Sequence, residues 1–177
     1  MIYPIRTERL SISPLSRADV DQFVAYRQDP LVAKFQSWDT TYSREQALQL
    51  IEDQGDLVLP MLGNWMQLAL RLGENEVLIG DLALHLRIEE PPTFEIGFTL
   101  ATRHQGMGYA KEAAAALMAE LINFVGAQKF IAHIDERNLP AATLLRSLGF
   151  SHIPEKGWSE EFKGENVRVD YYEIVTA

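Results

Sequence analysis

Residues 103–111 read RHQGMGYAK, and they separate a strand-like run, FEIGFTL at 94–100, from a helical pattern, EAAAALMAELINFV at 112–125. A helix that begins here presents unsatisfied N–H groups and a partial positive charge at its first turn. Glycines just before such a helix let a ligand approach the backbone closely. The stretch therefore predicts a phosphate-binding turn, although a tight turn that needs small residues would also explain the two glycines.

Two common nucleotide-binding patterns do not fit this turn. Lys111 stands where the third glycine of the dinucleotide-binding fingerprint would fall, and no Gly-Lys-Ser/Thr sequence follows the glycines. The sequence therefore excludes both a Rossmann fingerprint and a Walker A loop at this position.

The pattern around the turn predicts a mixed sheet. Three antiparallel strands are expected within 65–100, and further strands at 9–15, 129–135, 149–153 and 167–175. Helices are expected at 16–30, with Ser16 as N-cap and Pro30 just past the end, from Ser43 to Gly55, at 108–125 and at 139–148. Strands mostly in series, with two helices inserted late, indicate an α/β fold in one domain, 1–177: a mixed, mostly antiparallel sheet flanked by helices.

Composition excludes several classes of protein. The 177 residues contain no cysteine, which removes disulfides, thiolate metal sites and a cysteine nucleophile. The net charge of −9 disfavours nucleic acid as a partner. No apolar stretch is long enough for a membrane span, and the charged N-terminus does not resemble a signal peptide, so we expect a cytoplasmic protein. The four histidines are scattered in the sequence, and we expect no metal site.

Three motifs resemble the GNAT acetyltransferase superfamily. The run Gln105-Gly106-Met107-Gly108-Tyr109-Ala110 is similar to the family's acetyl-CoA loop, Q/R-x-x-G-x-G/A, although Arg103 to Gly108 also matches that pattern two residues earlier. Asn138, Leu144-Leu145 and Gly149-Phe150 resemble the family segment N-x-x-S-x-x-L-L-x-x-x-G-F. The stretch TERLSISPLSRADVDQFVAYRQDPLV (7–32), followed by Trp38 and SREQAL, looks like the start of the RimJ/RimL-type branch, which acetylates protein N-termini among other amines.

The resemblance implies acetyl-CoA as co-substrate and no metal. Backbone N–H groups of the loop would hold the pyrophosphate, and the strand that ends at Leu100 would pair with the pantetheine arm. Asn138 would hold that arm with its amide or cap the following helix, and the two roles are compatible. The cofactor-binding residues expected on this basis are Phe98, Leu100, Gln105, Gly106, Met107, Gly108, Tyr109, Ala110 and Asn138.

Two positions depart from the family pattern. Ala141 stands at the serine of N-x-x-S, which is often assigned to protonate the departing CoA thiolate, and Leu145 stands where other branches have tyrosine. Thr143 lies about 200° around the helix from Ala141 and is no substitute. We keep an enzyme as the main interpretation, because a thiolate leaves tolerably without a proton donor. An acyl-CoA-binding protein without transfer activity is the alternative.

The expected reaction is direct transfer of acetyl to a primary amine through a tetrahedral intermediate. At pH 7 an α-amino group is roughly a tenth neutral, whereas a lysine is neutral in about one molecule in two thousand, which favours a protein or peptide N-terminus. Polyamines and aminoglycosides remain alternatives. The resemblance to the family also makes a homodimer an expected assembly.

For the removal of the amine proton we expect Glu95, although it could simply belong to the polar face of a half-buried strand. Trp38 and Asp81 are expected on the acceptor side, with an aromatic core residue and a solvated turn as their respective alternatives.

Overall fold

A computed structural model describes residue 1, residues 3–73 and residues 76–176. The helices are α1 (Val20–Arg27), α2 (Pro30–Ala33), α3 (Arg44–Gln54), α4 (Tyr109–Val125) and α5 (Leu139–Ser147). The strands are β1 (Ile5–Arg6), β2 (Leu10–Pro14), β3 (Trp65–Leu72), β4 (Val77–Leu86), β5 (Thr93–Leu100), β6 (Lys129–Asp135), β7 (Ser151–His152), β8 (Trp158–Phe162) and β9 (Glu165–Val175). Short 3-10 turns cover Arg17–Asp19, Thr102–His104 and Pro154–Lys156.

The strands form one sheet in the order β1-β2-β3-β4-β5-β6-β9-β7, and β8 pairs with β9. Every pair of neighbours is antiparallel except β5 and β6. Two parallel strands need a crossover connection, and α4 provides it. The first turn of α4 therefore follows directly from the carboxyl end of β5. The expected mixed, mostly antiparallel α/β fold is confirmed.

The parallel pair β5–β6 opens along its length. Its paired residues run only from Thr93 opposite Lys129 to Glu95 opposite Ile131, although both strands continue further. Past Glu95 the strands diverge and leave a gap in the middle of the sheet. This splay is the architectural feature that creates the site described below.

Apolar side chains fill both faces of the sheet. On one face α4 and α5 pack on β4, β5 and β6, and the buried residues include Leu82, Phe94, Leu117, Phe130 and Leu145. On the other face α1, α2 and α3 cover one end of β3 and β4, with Phe23, Tyr26, Tyr42, Ala47 and Ala69 buried. Each fully buried large apolar side chain contributes roughly 1.5–3 kcal/mol, so both layers of helices are firmly attached.

Local signals explain the helix boundaries. The Ser43 side chain accepts from the N–H of Gln46, whose own side chain accepts from the Ser43 N–H, and this reciprocal capping box starts α3. Gly126 ends α4 in the left-handed conformation.

Three details differ from the sequence prediction. Pro30 does not follow a single helix 16–30; it begins the separate helix α2, where Asp29 accepts from the Leu31 N–H. β1 is too short to give a periodic pattern. β8 was not predicted because its five residues, WSEEF, are mostly exposed and carry no alternation of apolar and polar side chains.

Candidate active site

The gap between β5 and β6 opens into a cavity of about 490 Å³. Its walls come from both splayed strands, from β3, β4, α5, β8 and β9, and from the segment after α2. The lining residues used below are Trp65, His85, Arg87, Glu95, Phe98, His133, Asp135, Asn138, Ala141, Trp158 and Glu160. Of the residues predicted from the sequence, Glu95, Phe98 and Asn138 line this cavity.

The carboxylate of Glu95 lies at the centre of a polar cluster. His133 Nδ1 is 2.6 Å from one carboxylate oxygen, and His85 Nδ1 and Arg87 Nη1 lie 3.3 Å and 3.1 Å from the other. His85 is directly opposite Glu95 in the β4–β5 pair, and His133 is two residues beyond Ile131, the partner of Glu95 on β6. Because side chains alternate along a strand, all of them project from the same face of the sheet.

The environment of Glu95 lowers the pKa of its carboxyl group. Burial alone would raise the pKa of its carboxyl group, but the hydrogen bonds from His133, His85 and Arg87, together with the charge that His133 carries when it is protonated, outweigh burial and lower that pKa to about 2. A carboxylate with so low a pKa stays ionised at neutral pH and has little tendency to accept a proton. The ionised Glu95 carboxylate is instead suited to orienting and stabilising a neighbouring cation.

Two tryptophans form walls of the cavity. Trp65 is 48 % exposed and stacks on the imidazole of His85, with ring centroids 4.7 Å apart. Trp158 is 40 % exposed, and its ring meets the edge of His133 at 4.9 Å. Large exposed aromatic surface inside a cavity is typical of a binding site.

The predicted phosphate-binding turn lies at the start of α4. Gly106 and Gly108 have φ values of 73° and 82°, in the left-handed region that favours glycine. Gly108 occupies the N-cap position without a side-chain cap, so the first helical N–H groups are left for a ligand. A Cβ at Gly106 would meet open space, which means that the backbone there is accessible from outside. The conformation of this turn fits a diphosphate. Gln105, Tyr109 and Ala110 lie on the same turn or at the start of α4.

Arg9, next to β2, braces this turn. Its Nη1 donates to the carbonyl oxygen of Met107 at 3.0 Å, while its Nε and Nη2 lie 2.7 Å and 2.6 Å from the Glu112 carboxylate. The same guanidinium lies over the ring of Tyr109, 4.5 Å from the centroid. On the opposite side, the Gln105 side chain donates to the carbonyl oxygen of Leu100 at 2.9 Å. Side chains from both flanks thus fix the turn.

At the start of α5, Asn138 caps the helix. Its side-chain oxygen accepts from the Ala141 N–H at 3.3 Å, which leaves the amide NH₂ group free of that bond. Ala141 presents a methyl group to the cavity, and Leu145 is buried in the core. The hydroxyl of Thr143 donates to the carbonyl oxygen of Leu139 instead. Neither family position for a proton donor carries a hydroxyl group here.

Comparisons of the amino-acid sequence with known proteins identify the family of this chain. The family described as Acetyltransferase (GNAT) domain matches residues 9–151, which is most of the chain. This chain belongs to the GNAT acetyltransferase family. A protein of Bacillus licheniformis described as uncharacterized N-acetyltransferase p20 is 28% identical over 169 residues, covering 96% of this chain and 94% of that protein. The protein is therefore an acyltransferase, and GNAT acetyltransferases use acetyl-CoA.

Two solved structures illustrate the range of GNAT enzymes with this fold. Spermidine N-acetyltransferase from Vibrio cholerae, solved with CoA and spermine, has a TM-score of 0.79 at 18% identity and covers 96% of both chains. RimL, a ribosomal L7/L12 α-N-protein acetyltransferase solved with CoA, also has a TM-score of 0.79, at 16% identity, and covers 99% of this chain and 98% of that one. At these identities the likeness concerns the fold alone.

Asp81 of this GNAT protein does not face the acceptor, and that prediction is corrected. Its side chain is buried under α1, where Arg27 Nη2 lies 3.5 Å from the carboxylate and the Tyr26 hydroxyl donates to it. Burial raises the pKa of Asp81, and Arg27 and Tyr26 oppose that rise. Asp81 is neither a solvated turn residue nor a ligand for an amine; it neutralises a buried arginine.

Trp38 is also placed differently from the prediction. Its ring packs on the Arg27 guanidinium at 3.6 Å, and its indole N–H donates to the Arg27 carbonyl oxygen at 3.2 Å. The preceding residues, Phe35, Gln36 and Ser37, line the cavity in its place. The segment before Trp38 thus lines the cavity, but the tryptophan itself packs against the second core.

Sequence reasoning missed His85, Arg87, His133, Trp65 and Trp158 as cavity residues. Histidines were weighed only as metal ligands, and Glu95 and His133 are 38 residues apart in the chain. A signal did exist, since His85 and Glu95 both stand at positions that alternate with the large apolar residues of their strands, on the opposite face of the sheet. The parallel pairing of β5 with β6 was the missing information.

Within the described residues, no helix is long and apolar enough to cross a membrane. The same part of the chain holds no group of three or more His, Asp or Glu side chains placed to bind a metal ion.

Proposed function

We propose that this acetyltransferase transfers the acetyl group of acetyl-CoA to an α-amino group, as at the N-terminus of a protein or peptide. In this proposal the turn at Gly106–Ala110 holds the pyrophosphate through backbone N–H groups. The pantetheine arm runs along β5 past Leu100 and Phe98, with Asn138 on its other side. The acetyl group then lies at the splay, beside the Glu95 cluster.

The observation that carries the proposal is a second cavity that lies next to the first and shares the wall residue Trp65 with it. This second cavity has a volume of about 550 Å³ and is lined by α3, the segment after it and β3. Trp65 belongs to the walls of both. A small amine needs only the first cavity, whereas a peptide whose α-amine enters there needs a path for the residues that follow it. The second cavity supplies that path.

The charges of the first cavity support a singly charged acceptor. Glu95 is held by its own cluster, and Asp135 is bound in bidentate fashion by Arg137, with N–O distances of 2.9 Å and 2.6 Å. Glu160 accepts from the indole N–H of Trp158 at 2.7 Å, and in the described part of the chain no cation pairs with it. One unpaired carboxylate suits one ammonium group, while polyamines and aminoglycosides carry several.

The intrinsic chemistry of amines points the same way. An α-amine is roughly 200 times more often neutral at pH 7 than a lysine ε-amine, so it needs less help from the protein. The resemblance of the N-terminal sequence implies a RimJ/RimL-type activity. An enzyme of that type acetylates α-amino groups and so benefits from their larger neutral fraction. The fold likeness to RimL is compatible with it, and so is the likeness to the spermidine enzyme, which makes acceptor choice the decisive experiment.

The experiment is an acetyl-CoA-dependent thiol-release assay with mass spectrometry of the products. The acceptors are matched peptides with a free or a blocked α-amine and one lysine, spermidine, spermine and an aminoglycoside. We expect kcat/KM for the free α-amine to exceed that for the blocked peptide at least tenfold, as about 200-fold more neutral amine allows. Preferential acetylation of spermidine or the aminoglycoside would overturn the proposal, and acetyl-CoA binding without turnover would favour a binding protein.

A matched pair of variants tests the second cavity. Trp65→Ala should raise KM for long peptides more than for a single amino-acid amide, because the latter does not reach beyond Trp65. Phe124→Ala is the control: Phe124 is 53 % exposed on α4 and lines neither cavity. An equal effect of Trp65→Ala on long and short acceptors would contradict a peptide path.

A further inference from the structure

We propose that His133 is the general base of the transfer and that Glu95 is a positioning residue that holds its imidazole. This inference rests on the acetyltransferase activity but not on which amine is the acceptor. It differs from the expectation based on the sequence, in which Glu95 itself removes the proton of the amine.

The geometry assigns the two ring nitrogens of His133 different tasks. Nδ1 lies 2.6 Å from the ionised Glu95 carboxylate, so it carries the hydrogen of that bond. The neutral ring then has a lone pair on Nε2, for which the described residues provide no hydrogen-bond partner. His133 lines the cavity at the splay and its side chain is 16 % exposed, so Nε2 is within reach of a bound amine.

A comparison of basicity favours the imidazole over the carboxylate. The pKa of Glu95, lowered to about 2, makes its carboxylate a poor proton acceptor at neutral pH, whereas imidazole is the side-chain group that most often acts as a general base. A general base works best when it titrates near the operating pH. Glu95 contributes by fixing the tautomer and stabilising the imidazolium that forms.

His85 is the competing candidate and fits less well. Its Nδ1 is 3.3 Å from Glu95, and its ring is stacked under Trp65 on β4, away from the β5–β6 gap. His133 is held at the gap itself, between the Glu95 carboxylate, the edge of Trp158 and the ring of Tyr171, whose centroid is 5.3 Å away. The remaining charged or titratable groups that line the cavity are His85, Arg87, Asp135 and Glu160.

The reaction step balances without another reagent. The neutral amine attacks the acetyl carbonyl carbon, and His133 Nε2 takes the proton that the nitrogen gives up as the C–N bond forms. The C–S bond breaks, and its electron pair leaves on the CoA sulfur. The imidazolium then releases the proton to solvent and the base is restored. No hydroxyl at position 141 is required.

The first test is NMR of the histidine rings in the wild-type protein, which needs no acceptor. The His133 ring signals are assigned by correlation with the backbone of the labelled wild-type protein, so the test does not need a variant that folds. We expect the Nδ1–H tautomer near neutral pH, with Nε2 unprotonated. A proton on Nε2 at neutral pH, with or without one on Nδ1, would overturn the proposal.

The second test is kinetic and uses whichever amine the panel identifies. His133→Gln should lower kcat about 100-fold or more, the range of general base catalysis, with unchanged acetyl-CoA affinity. His152→Gln is the control, because His152 stacks on Tyr172 outside the cavity and should leave kcat unchanged. A collapse of kcat in His85→Gln but not in His133→Gln would contradict the assignment.

Glu95→Gln separates a positioning role from a merely structural one. Loss of the carboxylate destabilises the imidazolium, so the acidic inflection of the pH–rate profile should move to lower pH relative to wild type. The acceptor's own ionisation is common to both proteins and cancels in this comparison. A profile that is only scaled down, with its inflection unmoved, would contradict the positioning role.

Discussion

Arg9 and Glu112 are joined through both guanidinium Nε and Nη2, at 2.7 Å and 2.6 Å, although they are 103 residues apart in the chain. This ion pair connects the N-terminal strands to the first turn of α4. Burial would raise the pKa of Glu112, but hydrogen bonds from Thr7 and Arg9 lower it. The predicted phosphate-binding turn is therefore held in place by Arg9, which belongs to neither β5 nor α4.

Replacing Arg9 should weaken acetyl-CoA binding. Arg9→Ala removes the bond to the Met107 carbonyl and the brace on Glu112, and hydrogen bonds that involve charged groups contribute about 1.5–3 kcal/mol each. We expect the dissociation constant measured by calorimetry to rise about tenfold. Arg17→Ala, which breaks an exposed pair with Glu52, is the control and should leave binding unchanged. Equal affinity in both variants would show that the brace is dispensable.

The two ends of α4 offer a matched test of the turn. Gly106 and Gly126 both have positive φ, 73° and 65°, and a Cβ on either meets open space. Alanine at each should cost a similar 1–2 kcal/mol of folding free energy through backbone strain. Only Gly106→Ala should also raise the acetyl-CoA dissociation constant, about tenfold or more, because its backbone is at the turn. Similar affinities in the two variants would contradict the location of the pyrophosphate.

The buried Arg27–Asp81 pair should be structural. Asp81→Asn leaves the Arg27 charge buried without its counter-ion, and we expect the free energy of unfolding in urea to fall by about 3–5 kcal/mol. KM for the acceptor should stay unchanged at temperatures where the variant is folded. A large change in acceptor KM with normal stability would instead return Asp81 to the acceptor site.

Glu95 should make stability depend on pH in the acidic range. Its pKa in the folded protein, about 2, lies below the ordinary 4.5. The stabilisation is therefore fully present above about pH 5 and is lost as pH falls towards 2. We expect the unfolding free energy of wild type relative to Glu95→Gln to decrease by about 3 kcal/mol over that range. Glu8→Gln, which removes an exposed carboxylate, is the matched control.

Restoring the missing hydroxyl should assist the leaving thiolate. Ala141 lines the cavity on the first turn of α5, so Ala141→Ser places a hydroxyl group at the wall. We expect kcat to rise by up to about tenfold at unchanged acetyl-CoA KM, the lower part of the range for proton donation. Thr143→Ser, on the outer face of the helix, is the control. An unchanged kcat in Ala141→Ser would mean that thiolate departure does not limit turnover.

The elements built from local signals were predictable. The capping box at Ser43, the glycine turn before α4 and the N-cap Asn138 depend on neighbours in the sequence, and each is present in the structure. β8 was not predictable, because five mostly exposed residues become a strand only by pairing with β9. Asp81 shows the same limit: its partner Arg27 lies 54 residues away, on a helix that no local pattern places over β4.

The sequence by itself determined the fold class and the glycine turn before α4, since periodicity, caps and glycines act over a few residues. Only the tertiary structure decided which polar groups meet at the splay. The pKa of Glu95 is lowered because β4 and β6 and the residue after β4 bring His85, His133 and Arg87 close to its carboxylate. The strength of such interactions depends on the distances between the groups. Those distances are set by strand order and register, which the order of residues along the chain does not display.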